Sequence, residues 1–198
     1  NFTEDLVIGK DTVAAPIEYW PLTASYGATW LRDKSFTELN TALTLHLRGM
    51  GSDQTDYNNK RYNADGSFIY LRADASHTRD LKNGAQLFGK VQGQIAGQPL
   101  INNEQIAGGG LGTVRGYLEA TALGDNGVFA TAELRSPSLL GKGDTSPDPK
   151  NEWRFHAFAD AGLVGIYDPL AGQKKRTGLS SVGIGSRLRY REHFNASA

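Results

Sequence analysis

The residues that ordinarily carry catalysis are present in this sequence, but not at spacings that make a site. Gly84 to Val91, GAQLFGKV, has two glycines and a lysine (Gly84, Gly89, Lys90) at the spacing of a phosphate-binding loop. Such a loop needs Ser or Thr after the lysine to hold magnesium, and a helix whose N-terminus faces the phosphate. Here Val91 follows and the pattern continues as a strand. The run Gly108 to Gly112 lacks the third glycine of a dinucleotide fingerprint and opens no helix. His46, His77 and His193 are scattered. His156 and Asp160 share a face of an extended segment, but four residues of strand rise put them roughly 13 Å apart, too far for one metal. No serine sits in a nucleophile elbow. With no cysteine anywhere, disulfide frameworks, thiolate zinc sites and iron–sulfur clusters are excluded. The reading is a protein that is not an enzyme and takes no cofactor and no metal.

What remains is a set of arginines and carboxylates on an alternating background. The helical template finds little, whereas apolar and polar residues alternate repeatedly. From Leu22 to Arg32, Leu22, Ala24, Tyr26, Ala28 and Trp30 share one face, and Thr23, Ser25, Gly27 and Thr29 the other. Pro21 precedes this run, where a strand tolerates a missing donor, and Trp20 and Trp30 bracket its apolar face. Asp33-Lys34 makes a tight turn. The next strand sets Leu39, Thr41, Leu43, Leu45 and Leu47 against Glu38, Asn40, Thr44, His46 and Arg48, with Ala42 interrupting the polar run. After a polar stretch, Gly51 to Gly66, comes Ile69, Leu71, Ala73 and Ala75 against Tyr70, Arg72, Asp74 and Ser76. Asp80 to Gly84 turns the chain into Leu87, Gly89, Val91, Gly93 and Ile95 against Gln86, Phe88, Lys90, Gln92 and Gln94. A long connection, about Gly97 to Asn126, precedes Val128, Ala130, Ala132 and Leu134 against Phe129, Thr131, Glu133 and Arg135. Pro137 to Asn151 leads to Trp153, Phe155, Ala157, Ala159, Ala161 and Leu163 against Arg154, His156, Phe158 and Asp160. Past Asp168 to Thr177, Val182, Ile184, Leu188 and Tyr190 oppose Arg187, Arg189 and Arg191, and Phe194 begins a further strand.

Seven full strands and a stub, joined in sequence, describe an all-β antiparallel meander. The 198 residues carry 21 Lys+Arg against 21 Asp+Glu, so no net field gathers nucleic acid, and no nucleic-acid partner is expected. Hydrophobic residues make up 39% and the mean hydropathy is −0.43, which rules out the roughly 18 consecutive apolar residues of a membrane helix. A membrane β-barrel survives that test, because its strands alternate lipid-facing and lumen-facing residues. The eleven-residue run Leu22 to Arg32 fits the roughly 9–11 residues of a tilted membrane strand. A soluble sandwich would put Val and Ile on its core face and Lys and Glu outside. Here Gly, Ala and aromatics dominate the apolar face, which favours a barrel in contact with outer-membrane lipid. Such a sheet must close, since orphan backbone groups in lipid cost several kcal/mol each. The expectation is a piece of a larger barrel, residues 1–198, with one strand possible at Phe2 and another unfinished at Ala198.

The long connection contains IAGGGLGTVRGYLEATALGDNG, Ile106 to Gly127, and ELRSP follows at a distance. The tetrad Val114-Arg115-Gly116-Tyr117 with this Gly-rich lead resembles the POTRA-bearing outer-membrane assembly and translocation superfamily. The GD.G after the tetrad and the FADAG strand, Phe158 to Gly162, most resemble the two-partner secretion transporters, the FhaC-like haemolysin secretion/activation proteins. The resemblance implies a bacterial outer-membrane barrel of about 16 strands, monomeric, preceded by POTRA domains, that exports a secreted exoprotein. It implies further that the long loop folds back into the lumen and that Arg115 meets Asp160 on the wall, beside Phe158 and Gly162. A planar guanidinium fork matches a carboxylate better than an ammonium does. Gly116 lets the loop tip turn sharply, and Tyr117 can pack on the wall.

The lumen is expected to be lined by Glu133, Arg135, Arg154, Arg187 and Arg189. The bland account of the arginine stripe is pairing with lumen carboxylates; the sharper one is contact with a transported chain. By the family pattern Pro137 to Asn151 is a periplasmic turn, longer than most. Three other readings stay open: a barrel-assembly factor of the same superfamily, a passive porin, and a soluble β-sandwich binding module.

Overall fold

The computed structural model describes residues 5–8, 11–14, 17–140, 151–191 and 193–197. Twelve strands are formed: β1 (Asp5–Ile8), β2 (Asp11–Ala14), β3 (Leu22–Arg32), β4 (Ser35–His46), β5 (Phe68–Asp80), β6 (Gln86–Ala96), β7 (Ile106–Gly108), β8 (Ala122–Gly124), β9 (Asn126–Arg135), β10 (Asn151–Gly165), β11 (Arg176–Tyr190) and β12 (Phe194–Ser197). Helix α1 covers Gln54–Lys60. Eight strands form one antiparallel sheet in the order β12-β11-β10-β9-β6-β5-β4-β3; β1 with β2 and β7 with β8 form separate hairpins.

The seven alternating runs read from the sequence are β3, β4, β5, β6, β9, β10 and β11, and the stub is β12. The expected strand at Phe2 and the end at Ala198 lie outside the described residues, as do residues 141–150 of the segment Pro137–Asn151. The polar stretch Gly51 to Gly66 contains α1, which alternation could not reveal. Its start is set by Asp53, whose side chain accepts from the N–H of Thr55 at 2.8 Å and of Asp56 at 3.1 Å, while Asp56 accepts from the N–H of Asp53. That reciprocal capping satisfies donors the first turn would otherwise leave orphaned.

The register puts every apolar run on one face of the sheet. Tyr26 of β3, Leu43 of β4, Leu71 of β5, Val91 of β6, Leu134 of β9, Phe155 of β10 and Ile184 of β11 all lie exposed on that side. Val182 and Ile184 keep 83% and 86% of their surface accessible. A continuous apolar face across seven strands far exceeds the few hundred Å² that soluble monomers usually leave uncovered. The opposite face is polar and cross-linked: Thr23 meets Thr44 at 3.0 Å, Asn40 donates to Asp74 at 3.1 Å, and Arg72 donates to Gln94 at 2.5 Å. A sheet apolar outside and polar inside is an arc of a membrane barrel wall. No helix among the described residues is long and apolar enough to cross a membrane.

Two short turns lie at one end of the sheet, the end at which β9 is also joined to β10 through residues 136–150. There β3 turns into β4 through Asp33-Lys34, and β5 into β6 through residues 81–85. The latter closes with the Leu81 N–H on the Ala85 carbonyl at 2.9 Å, and with Gly84 at φ 82°. At the other end stand residues 47–67, 97–125 and 166–175. These connections fold onto the polar face. Tyr57, Ala64, Leu100 and Ile101 pack there with Phe68, Tyr70 and Ala96.

Candidate functional site

The loop from Gly109 to Thr121 lies against the polar face of β9, β10 and β11. The β7–β8 hairpin anchors its two roots, Ile106 pairing with Gly124 and Gly108 with Ala122. Between them the Gly110 N–H donates to the Tyr117 carbonyl at 3.2 Å, and Thr113 bonds Gly109 through its hydroxyl. The Gly-rich run is needed for its backbone path. A Cβ on Gly109 would lie 2.4 Å from the Leu118 carbonyl oxygen, and Gly109 and Gly110 have φ 108° and 86°. The Glu119 carboxylate accepts from the Leu111 N–H at 3.1 Å.

Val114 is fully buried and packs with Phe129 of β9, Val164 of β10, Leu179 of β11, Ala122 and Ile106. This apolar plug sits in an otherwise polar surface, so burial of Val114 fixes where the next residue points. That residue is Arg115. Its backbone N–H donates to Asp160 Oδ2 at 3.1 Å, its Nε to the same oxygen at 2.7 Å, and its Nη2 to Oδ1 at 2.7 Å. Nη1 donates to Glu133 Oε1 at 2.5 Å. The guanidinium also lies 3.6 Å from the centre of the Phe158 ring, a cation–π stack that its flat, weakly hydrated head favours. Glu133 and Asp160 are each 3% exposed. Charged pairs so desolvated hold only when every lone pair is matched, and this one comes close to that condition.

Small residues in the wall make the seats. A Cβ on Gly162 would lie 2.4 Å from Phe129 Cδ1 and 3.1 Å from Val114 Cγ2; one on Gly183 would lie 2.5 Å from Phe158 Cζ. Gly162 therefore admits the Val114–Phe129 plug, and Gly183 lets the Phe158 ring lie flat on β11 beneath Arg115. Gly116 has φ 86°, a conformation that any side chain would strain. Tyr117 then reaches β11, where its hydroxyl donates to the Ser180 carbonyl at 3.2 Å.

Glu133 is a hub for more than one arginine. Arg135 donates to Oε2 through Nε at 2.9 Å, with Nη2 2.7 Å away, and Arg187 approaches Oε1 at 3.4 Å. The Arg135 guanidinium also covers the Phe88 ring at 4.3 Å. Arg154 pairs with Glu152 and donates to the carbonyls of Gly84 and Ser136, both at 2.8 Å. Arg189 lies opposite Glu152 in the β10–β11 register. Alternation places Glu133 on the inner face and the meander puts β9 beside β10, but its contact with Arg115 depends on the path of the loop, which no local pattern encodes.

A second joint lies in the GD.G motif, whose partner the sequence does not name. Asp125, the acidic residue of GDNG, is fully buried and accepts both Nη1 and Nη2 of Arg61, at 2.5 and 2.8 Å. It also takes the N–H groups of Leu100 at 2.8 Å and Tyr167 at 2.7 Å. The GD.G motif marks the residue by its resemblance alone, and Arg61 lies 64 positions away.

Among the described residues no group of three or more His, Asp or Glu side chains could hold a metal ion. No curated protein matches the chain. The model of the haemolysin secretion/activation protein family ShlB/FhaC/HecB matches residues 14–188. That span covers six strands of the wall, β11 as far as Leu188 and the whole Arg115 loop, and the chain belongs to the ShlB/FhaC/HecB haemolysin secretion/activation family.

Proposed function

We propose that this chain is part of the barrel of an outer-membrane pore that secretes an unfolded partner exoprotein. Family membership supports the transport role. An apolar outer face and a polar inner one support the membrane barrel. The described strands then form an arc of a larger wall, with the two short turns and the β9–β10 connection at the periplasmic end and residues 47–67, 97–125 and 166–175 outside. The observation that carries the mechanism is Arg115 on the inner face, bound to Asp160 and Glu133.

In this reading the loop bearing Val114-Arg115-Gly116-Tyr117 is latched inside the lumen. It narrows the pore and holds a fixed surface against which an extended chain slides. The wall supplies the polar lining: Arg135, Arg154, Arg187 and Arg189 with Glu133. No bond is made or broken, so the work is positional.

The test is deletion of the gene from its native host, with the culture medium compared by mass spectrometry. Loss of one large secreted protein, restored by the intact gene, is the expected result. Unchanged secretion with loss of several resident outer-membrane proteins would move the assignment to barrel assembly. Unchanged secretion with only reduced uptake of small solutes would move it to a porin.

A further inference from the structure

We infer that Arg61 and Asp125 form an exit gate, separate from the Arg115 latch, that locks the three long connections together over the lumen; this rests on the reading of the chain as a translocation pore. The two residues join segments with no sequence proximity. Arg61 ends α1 in the 47–67 connection, Asp125 closes the 97–125 connection, and Tyr167 opens the 166–175 connection. Arg61 donates to the Leu100 carbonyl at 2.5 Å and to the Tyr167 carbonyl at 2.9 Å, besides its two bonds to Asp125. Asp125 in turn accepts from Leu100, Tyr167 and, at 3.3 Å, Gln105. Asn63 donates to Asp168 at 3.4 Å just outside this knot. Every one of the three connections is therefore bonded to the same pair.

The knot is seated on the lumen wall. Gln94 of β6 projects from the inner face and donates to the carbonyls of Glu104 and Asp125, at 3.1 and 3.0 Å. Leu100, Ile101, Tyr57 and Ala64 cover the inner ends of β5 and β6. A chain moving along the polar face meets this cover before it can leave. The Asp125 N–H bonds the Gly165 carbonyl at 2.9 Å, whereas Asp160 lies five residues back along β10, about 17 Å by strand rise. The two joints are thus at different heights and use different wall contacts, so each can be broken by its own substitution.

A guanidinium with four acceptors and a carboxylate with five donors behave as an all-or-none clasp, since removing either leaves a buried charge unmatched. The gate is tested on the purified full-length protein in planar bilayers, where ion conductance needs no exoprotein. Arg61→Ala and Asp125→Asn are expected to raise the frequency of open events by about tenfold, a 1.4 kcal/mol change in the closed state. The 198 residues contain no cysteine, so in a full-length protein with any cysteine elsewhere replaced by serine, Asn63→Cys with Asp168→Cys introduces one defined crosslink between two of the connections. In the Arg61→Ala background, oxidation of that pair is expected to suppress the extra openings and reduction to restore them. A barrel that had simply lost its fold would not close again on oxidation. Parental conductance in Arg61→Ala, or openings that the crosslink leaves unchanged, would overturn the gate. Neither result depends on secretion, so the gate and the export reading can fail independently.

Discussion

Arg115 grips Asp160 with three donors at once: its backbone N–H, its Nε and its Nη2, at 3.1, 2.7 and 2.7 Å. Because one donor belongs to the main chain, the contact fixes the loop backbone as well as the side chain. The remaining Nη1 goes to Glu133 and the flat face to Phe158. One guanidinium thus connects the loop to two adjacent strands, β9 and β10.

Arg115→Ala and Asp160→Ala are each expected to cut secretion by the full-length protein at least about tenfold while the barrel still inserts. Breaking one side of a buried pair costs about 3–5 kcal/mol, and here the loss falls on docking of the loop, since the strand ladder does not use either side chain. Arg115→Lys is expected to fail as well, because one ammonium cannot span Asp160 and Glu133 and stack on Phe158. Export assayed beside heat-modifiable electrophoretic mobility separates the two effects. Full secretion by both alanine variants would sink the latch.

Gly162→Ala is a steric test of the same docking. The added methyl would stand 2.4 Å from Phe129 Cδ1 and 3.1 Å from Val114 Cγ2, and overpacking of this kind costs about 1–3 kcal/mol. The expected outcome is loosened docking of Val114, seen as faster protease cleavage within residues 109–121 of the reconstituted protein. Phe129→Leu in the same chain should recover part of the protection, because it withdraws the ring edge the methyl strikes. Equal cleavage of Gly162→Ala and parent would show that the wall has room to spare.

The connection bearing α1 should weaken at high pH. Tyr57 is pushed up to about 12, first by burial and then by the nearby Glu104 carboxylate, and Tyr19 is raised as well, by burial and its bond to Glu104. An unfolded phenol ionises near 10. A folded-state value raised in this way contributes stability that is complete below about pH 10 and is lost between there and about pH 12. Limited proteolysis of residues 47–67 should accelerate across that window, and Tyr57→Phe should reduce the acceleration. A pH-independent cleavage rate would contradict this.

The wall was largely legible because its signal is local. Alternation with period two marks each strand and its inner face, so Glu133, Arg135, Arg154, Asp160 and Arg187 fall on one side before any fold is known. The β3–β4 turn at Asp33-Lys34 is read in the same way. Helix α1 was not legible: seven residues carry too few turns to show a period, and its cap at Asp53 resembles any polar turn. Nor were the β7–β8 hairpin or Asp125. The hairpin strands have three residues each, and Asp125 acquires meaning only when Arg61, Leu100 and Tyr167 converge on it. Local pattern reports the face a residue occupies; partners across 64 positions come from the order of strands and the path of loops.

Glu133 offers a separate test of the lumen's charge. Arg115, Arg135 and Arg187 all converge on it, at 2.5, 2.7 and 3.4 Å, and Arg115 alone is also held by Asp160. Glu133→Gln keeps the size and an acceptor oxygen but removes the shared negative charge. The latch should therefore persist through Asp160, while Arg135 and Arg187 are left with less compensation inside the pore. Arg187 is the more exposed of these two, its side chain half accessible, so its charge is the one that a passing ion feels. The expected result is a shift of the reversal potential toward anion selectivity under a salt gradient in planar bilayers, smaller at high salt, where screening shortens the reach of the field. Asp160→Asn should move selectivity in the same direction and also release the loop, raising conductance. An unchanged reversal potential for Glu133→Gln would mean that these arginines do not face the conducting path, and the lumen lining would have to be redrawn.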